Sequence, residues 1–214
     1  MGPAYYKFIN IRHPFDRLLS AYYNIKRKNP GDKRGPQLFQ MRYLQAQNNL
    51  TSYHNLTFAH FAQFLVDPSH LHKPSVYFDR HWDSYARSCK VCSVTYDYIL
   101  RTETFKNDSR PLLKLLDYPE DYLLTYKPQN QNPQASTAQN TSASGSEDDD
   151  DDEEGDDDSY YEKFLPEFLD LDRDLVTRLY SRYRLDFEAF GYQFDVDTST
   201  AYCAIELRNG DVCC

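Results

Sequence analysis

Three polar residues near the start of the chain have the types and spacing of an anion-binding site. Arg12, Arg17 and Ser20 form the pattern R-x-P-x-x-R-x-x-S, directly after an apolar and aromatic segment. Two guanidinium groups and a hydroxyl offer several hydrogen-bond donors, and the planar arginine fork matches the oxygen geometry of phosphate. The spacing therefore predicts a compact site for a phosphate monoester.

A strand, a turn and a helix must bring these residues together. The run Tyr5–Ile11 is aromatic and β-branched, which predicts a buried strand. Pro14 suits the first turn of a helix, and the apolar stripe of that helix comprises Phe15, Leu18, Leu19 and Tyr22. Arg17 and Ser20 share another face of the helix. Ligands of open α/β sheets bind beyond the carboxyl ends of the strands, beside helix N-termini, where this pattern places the site.

A purely structural interpretation of the same residues stands beside the functional one. Arg12 and Arg17 would then be surface ion-pair residues with Asp16 as a partner. Ser20 would simply be tolerated within the helix. The combined spacing directly after a strand favours the anion site.

The rest of the chain predicts an α/β fold, because strands alternate with helical stretches. A helix is predicted near Pro36–Gln47, and a second is capped by Thr57 and has Phe58, Phe61, Ala62 and Leu65 on one face. A strand at Thr95–Leu100 precedes a helix that carries Leu112, Leu113, Leu115 and Leu116. The last predicted helix is capped by Asp170 or Asp172, and its apolar stripe comprises Leu171, Leu175, Val176, Leu179 and Tyr183. A parallel sheet with crossover helices is expected.

Composition divides the chain. Residues 127–159 lack core-forming side chains and predict a disordered acidic insert within a discontinuous folded domain of residues 1–126 and 160–195, followed by a tail at 196–214. The whole chain has a formal charge of −9 and the run Glu147–Asp158 holds eleven acids, so the remainder sums to +2. The folded part is therefore mildly basic and compatible with an anionic ligand.

Signals of cellular location conflict. The sequence has neither a run of about 18 to 20 apolar residues nor a signal peptide, which favours the cytosol. Glycosylation sequons at Asn49, Asn55, Asn107 and Asn140 favour the secretory pathway. Cys89 and Cys92 form a C-x-x-C pair, for which a local disulfide is favoured over a metal site because no second ligand pair follows at zinc spacing.

The segment Phe8–Tyr22 closely resembles the 3′-phosphate-binding motif of the Golgi carbohydrate sulfotransferases, the family of the HNK-1, chondroitin and dermatan 4-O-sulfotransferases. Three further segments agree in order with that family. The first comprises His81-Trp82, Cys89-x-x-Cys92 and Tyr96-Asp97-Tyr98-Ile99, and the second is Arg101-Thr102-Glu103-Thr104. The third runs from Tyr183 to Tyr192 with the pattern Tyr-x-x-Asp-Phe-x-x-Phe-Gly-Tyr. Four ordered motifs are hard to obtain by chance.

The resemblance implies a P-loop-like sulfotransferase fold with a parallel sheet and flanking helices. It implies transfer of a sulfuryl group from 3′-phosphoadenylyl sulfate to a glycan hydroxyl of a chondroitin- or dermatan-like N-acetylgalactosamine or a related sugar, without a metal and without nucleic acid. Arg12 and Ser20 would hold the 3′-phosphate, and the turn around it would be shaped by the backbone of His13, Pro14, Phe15, Asp16, Arg17, Leu18 and Leu19.

The resemblance also sets expectations that this sequence does not meet. Family members carry a membrane anchor, a first strand and a Lys-containing phosphosulfate loop before the motif, and these are expected to be missing here, with only eleven residues ahead of Arg12. The full-length form is expected at the Golgi membrane with its catalytic domain in the lumen, and this chain alone is expected to be inactive. The alternative is a non-catalytic module that binds a nucleotide or a glycan.

His81 is the acid/base candidate because histidine titrates near neutral pH, and Trp82 beside it offers a face for stacking a sugar. The alternative is that the two residues form a packed structural pair. Glu103 would either orient an active-site arginine or end a strand.

Overall fold

The first strand, turn and helix are present as a continuous unit. The structure, a computed structural model, describes residues 5–27, 44, 46–51, 55–68, 79–119 and 162–203. Strand β1 spans Phe8–Ile11 and helix α1 spans Pro14–Arg27. The predicted strand is shorter than expected, and it is buried on one face only, since Ile9 and Ile11 are buried while Phe8 is 56% exposed.

Strand β1 pairs in parallel with strand β2, Tyr98–Arg101, and the register places Ile11 opposite Arg101. The parallel arrangement predicted from the sequence is confirmed for this pair. Because the strands run in the same direction, the residues that follow β1 and those that follow β2 lie at one edge of the sheet.

A second sheet is antiparallel, and it differs from the parallel sheet expected from the sequence. Its strand order is β3 (Glu162–Phe164), β5 (Thr200–Cys203) and β4 (Tyr192–Asp195). The predicted boundary at residue 195 falls inside this sheet, because β5 comes from the segment assigned to the tail and pairs with both neighbours.

The helices after α1 mostly follow the predicted pattern. They are α2 at Phe58–Val66, α3 at Tyr85–Ser88, α4 at Phe105–Leu115, α5 at Pro166–Leu169 and α6 at Arg173–Phe190. Thr57 and Asp172 are confirmed as N-caps, since their side chains accept from the amides of His60 and Leu175. Of the leucines predicted for α4, Leu112 is buried, whereas Leu115 and Leu116, which directly follows the helix, are exposed.

Two predicted segments fall largely or wholly outside the described residues. Of the helix near Pro36–Gln47, Leu44, Ala46 and Gln47 are described, and all three are helical. The predicted acidic insert at 127–159 lies outside the described residues altogether.

Aromatic packing joins α1, α2, α5 and α6 into one core. The Phe15 ring stacks on the Phe168 ring at 4.5 Å between centroids and meets the edge of Phe187 at 5.0 Å. Helices α2 and α6 pack on each other, and α1 contacts both. The apolar stripe predicted for α1 therefore faces the core, which leaves the Arg17 face outside it.

A buried carboxylate fastens α6 to the segment before β2. Asp186 is 0% exposed, and its two oxygens accept from the amides of Tyr85 and Ala86 at 2.8 Å each. One turn earlier on α6, the Tyr183 hydroxyl donates to the Trp82 carbonyl at 2.5 Å. Burial raises the pKa of the Asp186 carboxyl, while the two amide hydrogen bonds oppose that rise.

Helix α6 ends where the chain must turn into β4. Gly191 adopts a left-handed conformation with φ of 69°, and its amide donates to the Phe187 carbonyl. Glycine fits this conformation because it has no Cβ to clash. The next residue, Tyr192, then starts β4, and its hydroxyl donates to Glu103 after β2.

We expect Asp186→Ala to lower the free energy of unfolding strongly, because each buried amide left without an acceptor costs about 1–3 kcal/mol. Asp186→Asn should lose less, since its carboxamide oxygen still accepts one hydrogen bond. Urea denaturation of both variants tests the expectation. Glu188→Ala on the exposed side of the same helix is the control, and an equal effect of all three substitutions would contradict the assigned role.

Candidate functional site

One face of α1 forms a wall of a cleft with a volume of about 340 Å³. Arg17, Ser20, Ala21 and Asn24 line it, and their spacing of i, i+3, i+4 and i+7 places them on one helix face. Arg12 lines the cleft from the turn before the helix. The three residues predicted to form an anion site are therefore brought together.

The opposite wall is a tight turn at residues 79–83, which contributes Arg80 and His81 to the cleft. The Asp79 carbonyl accepts from the amides of Trp82 at 3.1 Å and Asp83 at 2.8 Å. Arg80 is exposed, whereas Asp79 is buried beneath the turn. The sequence singled out His81 but not Arg80, because no local sequence pattern links this turn to α1.

The remaining residues of the predicted phosphate-binding segment have buried side chains. These are His13, Pro14, Phe15, Asp16, Leu18 and Leu19. Their side chains do not line the cleft, so any contribution to binding would come through the backbone, as the resemblance implied. That contribution stays a prediction.

His13 is a structural residue that caps α1. Its Nδ1 accepts from the Phe15 amide at 3.2 Å, and its Nε2 donates to the Gln193 carbonyl at 3.0 Å. These two contacts fix a neutral ring with its proton on Nε2. Its ring also makes edge-to-face contacts with Phe187 and Tyr192, and the side chain is buried outside the cleft lining, so this histidine is unsuited to acid/base work.

Arg12 combines the two interpretations offered by the sequence. Its Nε pairs with the buried Asp16 carboxylate one turn into α1, the ion pair anticipated by the structural alternative. Its backbone amide donates to the Tyr85 hydroxyl at 3.1 Å. The ion pair orients the guanidinium while Nη1 and Nη2 remain as the donors that can bind an anion.

Arg17 contacts the opposite wall. Its Nη1 donates to the Asp83 carbonyl at 2.6 Å, its Nη2 donates to the Arg80 carbonyl, and its guanidinium lies 4.2 Å from the centroid of the Tyr85 ring. The arginine thus joins α1 to the turn at 79–83.

His81 has a carboxylate partner within its own turn. Its Nδ1 lies 2.5 Å from Oδ1 of Asp79, which also accepts the His81 amide at 2.9 Å. A carboxylate at Nδ1 holds the proton on that nitrogen and leaves Nε2 as the basic atom of the ring. His81 lines the cleft with Arg12 and Ser20.

Trp82 lies in the core, so the expectation that it offers a face to a sugar is wrong. Its side chain is 1% exposed and meets the Phe61 ring at 5.6 Å between centroids. The two neighbours therefore face different surroundings, with His81 in the cleft and Trp82 inside the protein. The alternative interpretation, that both residues are packed structural residues, therefore holds for Trp82 and not for His81.

Glu103 takes neither of the roles considered from the sequence. It follows β2, and its two oxygens accept from the His13 amide at 2.7 Å and the Tyr192 hydroxyl at 2.9 Å. It therefore ties the start of α1 to β2 and β4. Burial raises the pKa of the Glu103 carboxyl, opposed by these hydrogen bonds.

The cleft favours anions by its charge. Three guanidinium groups, those of Arg12, Arg17 and Arg80, line it. The nearby carboxylates of Asp16 and Asp79 are buried and contact Arg12 and His81 respectively. The exposed charge of the cleft is consequently positive, which concentrates anionic ligands.

The predicted disulfide between Cys89 and Cys92 is wrong. Cys89 is a free thiol packed against the edge of the core, while Cys92 is exposed and disulfide-bonded. Lys90 between them adopts a left-handed conformation with φ of 52° and precedes a turn at residues 91–93. Cys92 therefore pairs with a cysteine other than Cys89.

Three of the four sequon asparagines are described, and all three are exposed. They are Asn49, Asn55 and Asn107, whereas Asn140 lies outside the described residues. Their exposure is compatible with glycosylation, which stays a prediction. Over the described ranges, no helix is long and apolar enough to cross a membrane, and no group of three or more His, Cys, Asp or Glu side chains is arranged to hold a metal ion.

Comparison with known proteins decides the family. The family model of the sulfotransferase family matches residues 2–193, which is most of the chain. The chain belongs to the sulfotransferase family. The resemblance carried by the four motifs and the predicted α/β fold class are thereby confirmed.

Curated relatives that this chain matches include three carbohydrate sulfotransferases. Human carbohydrate sulfotransferase 10 is 27% identical over 198 residues, which cover 89% of this chain and 48% of that protein. Mouse carbohydrate sulfotransferase 8 is 30% identical over 144 residues, 65% of this chain and 33% of that protein. Zebrafish carbohydrate sulfotransferase 14 is 27% identical over 205 residues, 93% of this chain and 47% of that protein.

The chain spans about half the length of two of these relatives and a third of the other. No solved structure matches it.

The raised pKa of Glu103 predicts a pH dependence of stability. A native carboxyl with a raised pKa keeps its proton to higher pH than the unfolded chain, so stability falls as the pH rises from the ordinary value of about 4.3 towards the raised one. Glu103→Gln cannot ionise, and we expect its stability relative to wild type to improve over that interval. Urea denaturation from acidic to neutral pH measures this difference.

Glu188→Gln serves as the control for this experiment, because Glu188 is exposed on α6. Its stability difference from wild type should stay constant over the same pH range. A constant difference for Glu103→Gln as well would contradict the raised pKa of the Glu103 carboxyl.

Proposed function

We propose that this sulfotransferase binds 3′-phosphoadenylyl sulfate through the cleft between α1 and the turn at 79–83, and transfers its sulfuryl group to a hydroxyl of a glycan. The observation that carries the proposal is the convergence of Arg12, Ser20 and His81 on one positively charged cleft in a member of this family. The names of its relatives support a carbohydrate acceptor.

The 3′-phosphate of the donor fits the end of the cleft at Arg12 and Ser20. A guanidinium with two terminal donors and a neighbouring hydroxyl would bind three phosphate oxygens by charge-assisted hydrogen bonds. Asp16 holds Arg12 in place, which lowers the entropy lost when the phosphate is bound.

The acceptor hydroxyl requires a base, and His81 is the residue of the cleft suited to that role. With the Nδ1 proton directed to Asp79, Nε2 takes the hydroxyl proton as the oxygen attacks sulfur. The sulfur–oxygen bond to the acceptor forms while the bond to the donor phosphate breaks, and adenosine 3′,5′-bisphosphate leaves. Positioning and charge stabilisation supply most of the rate enhancement in related phosphoryl transfer.

The acceptor class and the compartment follow from the same family resemblance. A chondroitin- or dermatan-like sugar, or a glycoprotein glycan, is the proposed acceptor. The Golgi lumen is the proposed location, and a disulfide at Cys92 and exposed sequons at Asn49, Asn55 and Asn107 suit an oxidising secretory compartment.

Binding of adenosine 3′,5′-bisphosphate tests the phosphate site. We expect calorimetry to show roughly 10- to 100-fold weaker binding for Arg12→Ala combined with Asp16→Asn, because hydrogen bonds to charged groups contribute about 1.5–3 kcal/mol. The second substitution avoids leaving a buried carboxylate without its partner. Adenosine 5′-monophosphate should bind both proteins similarly, since it lacks the 3′-phosphate.

The matched control for this binding experiment is Arg178→Ala combined with Asp174→Asn, which removes an exposed ion pair of the same spacing on α6. Its affinity should equal that of wild type. If the cleft variant and wild type bind the bisphosphate with equal affinity, Arg12 does not bind the 3′-phosphate.

His81→Gln tests the proposed base. We expect kcat for sulfate transfer to fall by about 10²- to 10⁴-fold, the usual contribution of general acid–base catalysis. Affinity for adenosine 3′,5′-bisphosphate should not change. Transfer of radiolabelled sulfate to chondroitin, dermatan and glycoprotein acceptors measures the rate, in the longest form of the protein that is expressed.

The non-catalytic alternative gives a different result in the same assays. A binding module would bind the bisphosphate through Arg12 and transfer no sulfate to any acceptor. A modest loss of kcat in His81→Gln, below about tenfold, would remove His81 from the role of base.

A further inference from the structure

Arg17 directs its donors at the protein backbone across the cleft. Nη1 and Nη2 bind the carbonyls of Asp83 and Arg80, and the face of the guanidinium covers the Tyr85 ring. The fork that would bind a phosphate through two parallel hydrogen bonds is therefore already used. Arg12 and Ser20, which line the same cleft, are left as the phosphate ligands.

The geometry of these contacts requires an arginine. Two carbonyls three residues apart are reached by two nitrogens of one rigid planar group, which also stacks on an aromatic ring. A lysine ammonium is a point charge on a flexible stem and cannot make all three contacts at once. Lysine would keep the positive charge and lose the bridge.

The bridged turn carries the proposed base. His81 lies between the two carbonyls that Arg17 binds, and its ring is held by Asp79 from beneath. On its inner side, the turn is anchored by the buried Trp82, whose carbonyl accepts from Tyr183. Arg17 binds this turn directly from α1, and it thereby holds the turn in place relative to Arg12.

We infer that Arg17 is a positioning residue, which fixes the His81 turn at the correct distance from the phosphate held by Arg12 and Ser20. This inference rests on the proposed function. Arg17 couples the two ends of the reaction: the end that holds the donor nucleotide and the end that removes the acceptor proton. Within the described residues it has no carboxylate partner at ion-pair distance, so its charge also favours an anion in the cleft.

A double-mutant cycle between Arg17→Lys and His81→Gln tests the coupling. We expect Arg17→Lys to lower kcat by about 10- to 100-fold, because a displacement of about 1 Å at a reacting group costs up to that factor. The KM for the donor and the affinity for adenosine 3′,5′-bisphosphate should stay within about threefold of wild type. In the His81→Gln background, the same substitution should cost less than about twofold, since there is no base left to position.

Arg178→Lys, an exposed arginine on α6 with an ion-pair partner, is the matched control and should leave all constants unchanged. Two outcomes overturn the inference. One is a tenfold or greater loss of bisphosphate affinity in Arg17→Lys with kcat unchanged, which identifies a direct phosphate ligand. The other is an equal loss of kcat in the presence and absence of His81.

A measurement independent of activity accompanies the cycle. Hydrogen exchange of a peptide spanning residues 80–85 should accelerate in Arg17→Lys, because the Trp82 and Asp83 amides lie in the turn that Arg17 holds, while residues 173–190 of α6 should stay protected. Unchanged exchange of the turn overturns the inference. If the Arg17→Lys protein does not fold, the Arg17→Ala protein is assayed with and without millimolar guanidinium. Recovery of kcat with guanidinium supports the bridge that Arg17 makes to the turn. Failure to recover kcat overturns the inference.

These experiments distinguish a failure of the proposed function from a failure of the role assigned to Arg17. If wild type neither binds the bisphosphate nor transfers sulfate, the proposed function fails and the inference fails with it. If wild type is active and the two substitutions act additively, only the role of Arg17 is lost.

Discussion

The cleft depends on one buried carboxylate, that of Asp186, which accepts the first two amides of α3. That contact places Tyr85, which is separated from Asp186 by 101 residues in sequence. Tyr85 in turn accepts the Arg12 amide through its hydroxyl and supports Arg17 with its ring. Without Asp186, Tyr85 would lose the contact that places its hydroxyl against the Arg12 amide and its ring against Arg17.

Burial of this carboxylate is unfavourable by itself, as the raised pKa of Asp186 indicates. Two amide donors at the N-terminus of α3 offset that penalty. Glu103 follows the same principle at the start of α1, where it accepts the His13 amide and the Tyr192 hydroxyl. Asp186 and Tyr192 both belong to the closing motif of the sequence, so that motif builds the cleft although neither residue lines it.

Two sets of residues form the site: one set faces the cleft, and the other holds the backbone behind it. Side chains that face the cleft, such as Arg12, Ser20 and His81, are suited to contact a ligand. Buried side chains behind them fix the backbone from which they project. Arg17 belongs to both sets, because it lines the cleft and also binds the backbone of the opposite wall. A site built this way is held rigid before the ligand arrives, which reduces the cost of binding and of reaction.

The sequence by itself determined the local units of this protein: the strand and helix around Arg12 to Ser20, the caps at Thr57 and Asp172, and the motifs that identify the family. These follow from periodicity and capping, which act over a few residues. Burial of one face of β1, the antiparallel sheet that includes β5, the place of Trp82 in the core and the free thiol of Cys89 were decided by tertiary structure. So was the pairing of α1 with the turn at 79–83, because the carbonyls that Arg17 binds lie more than sixty residues away and no local pattern encodes that contact.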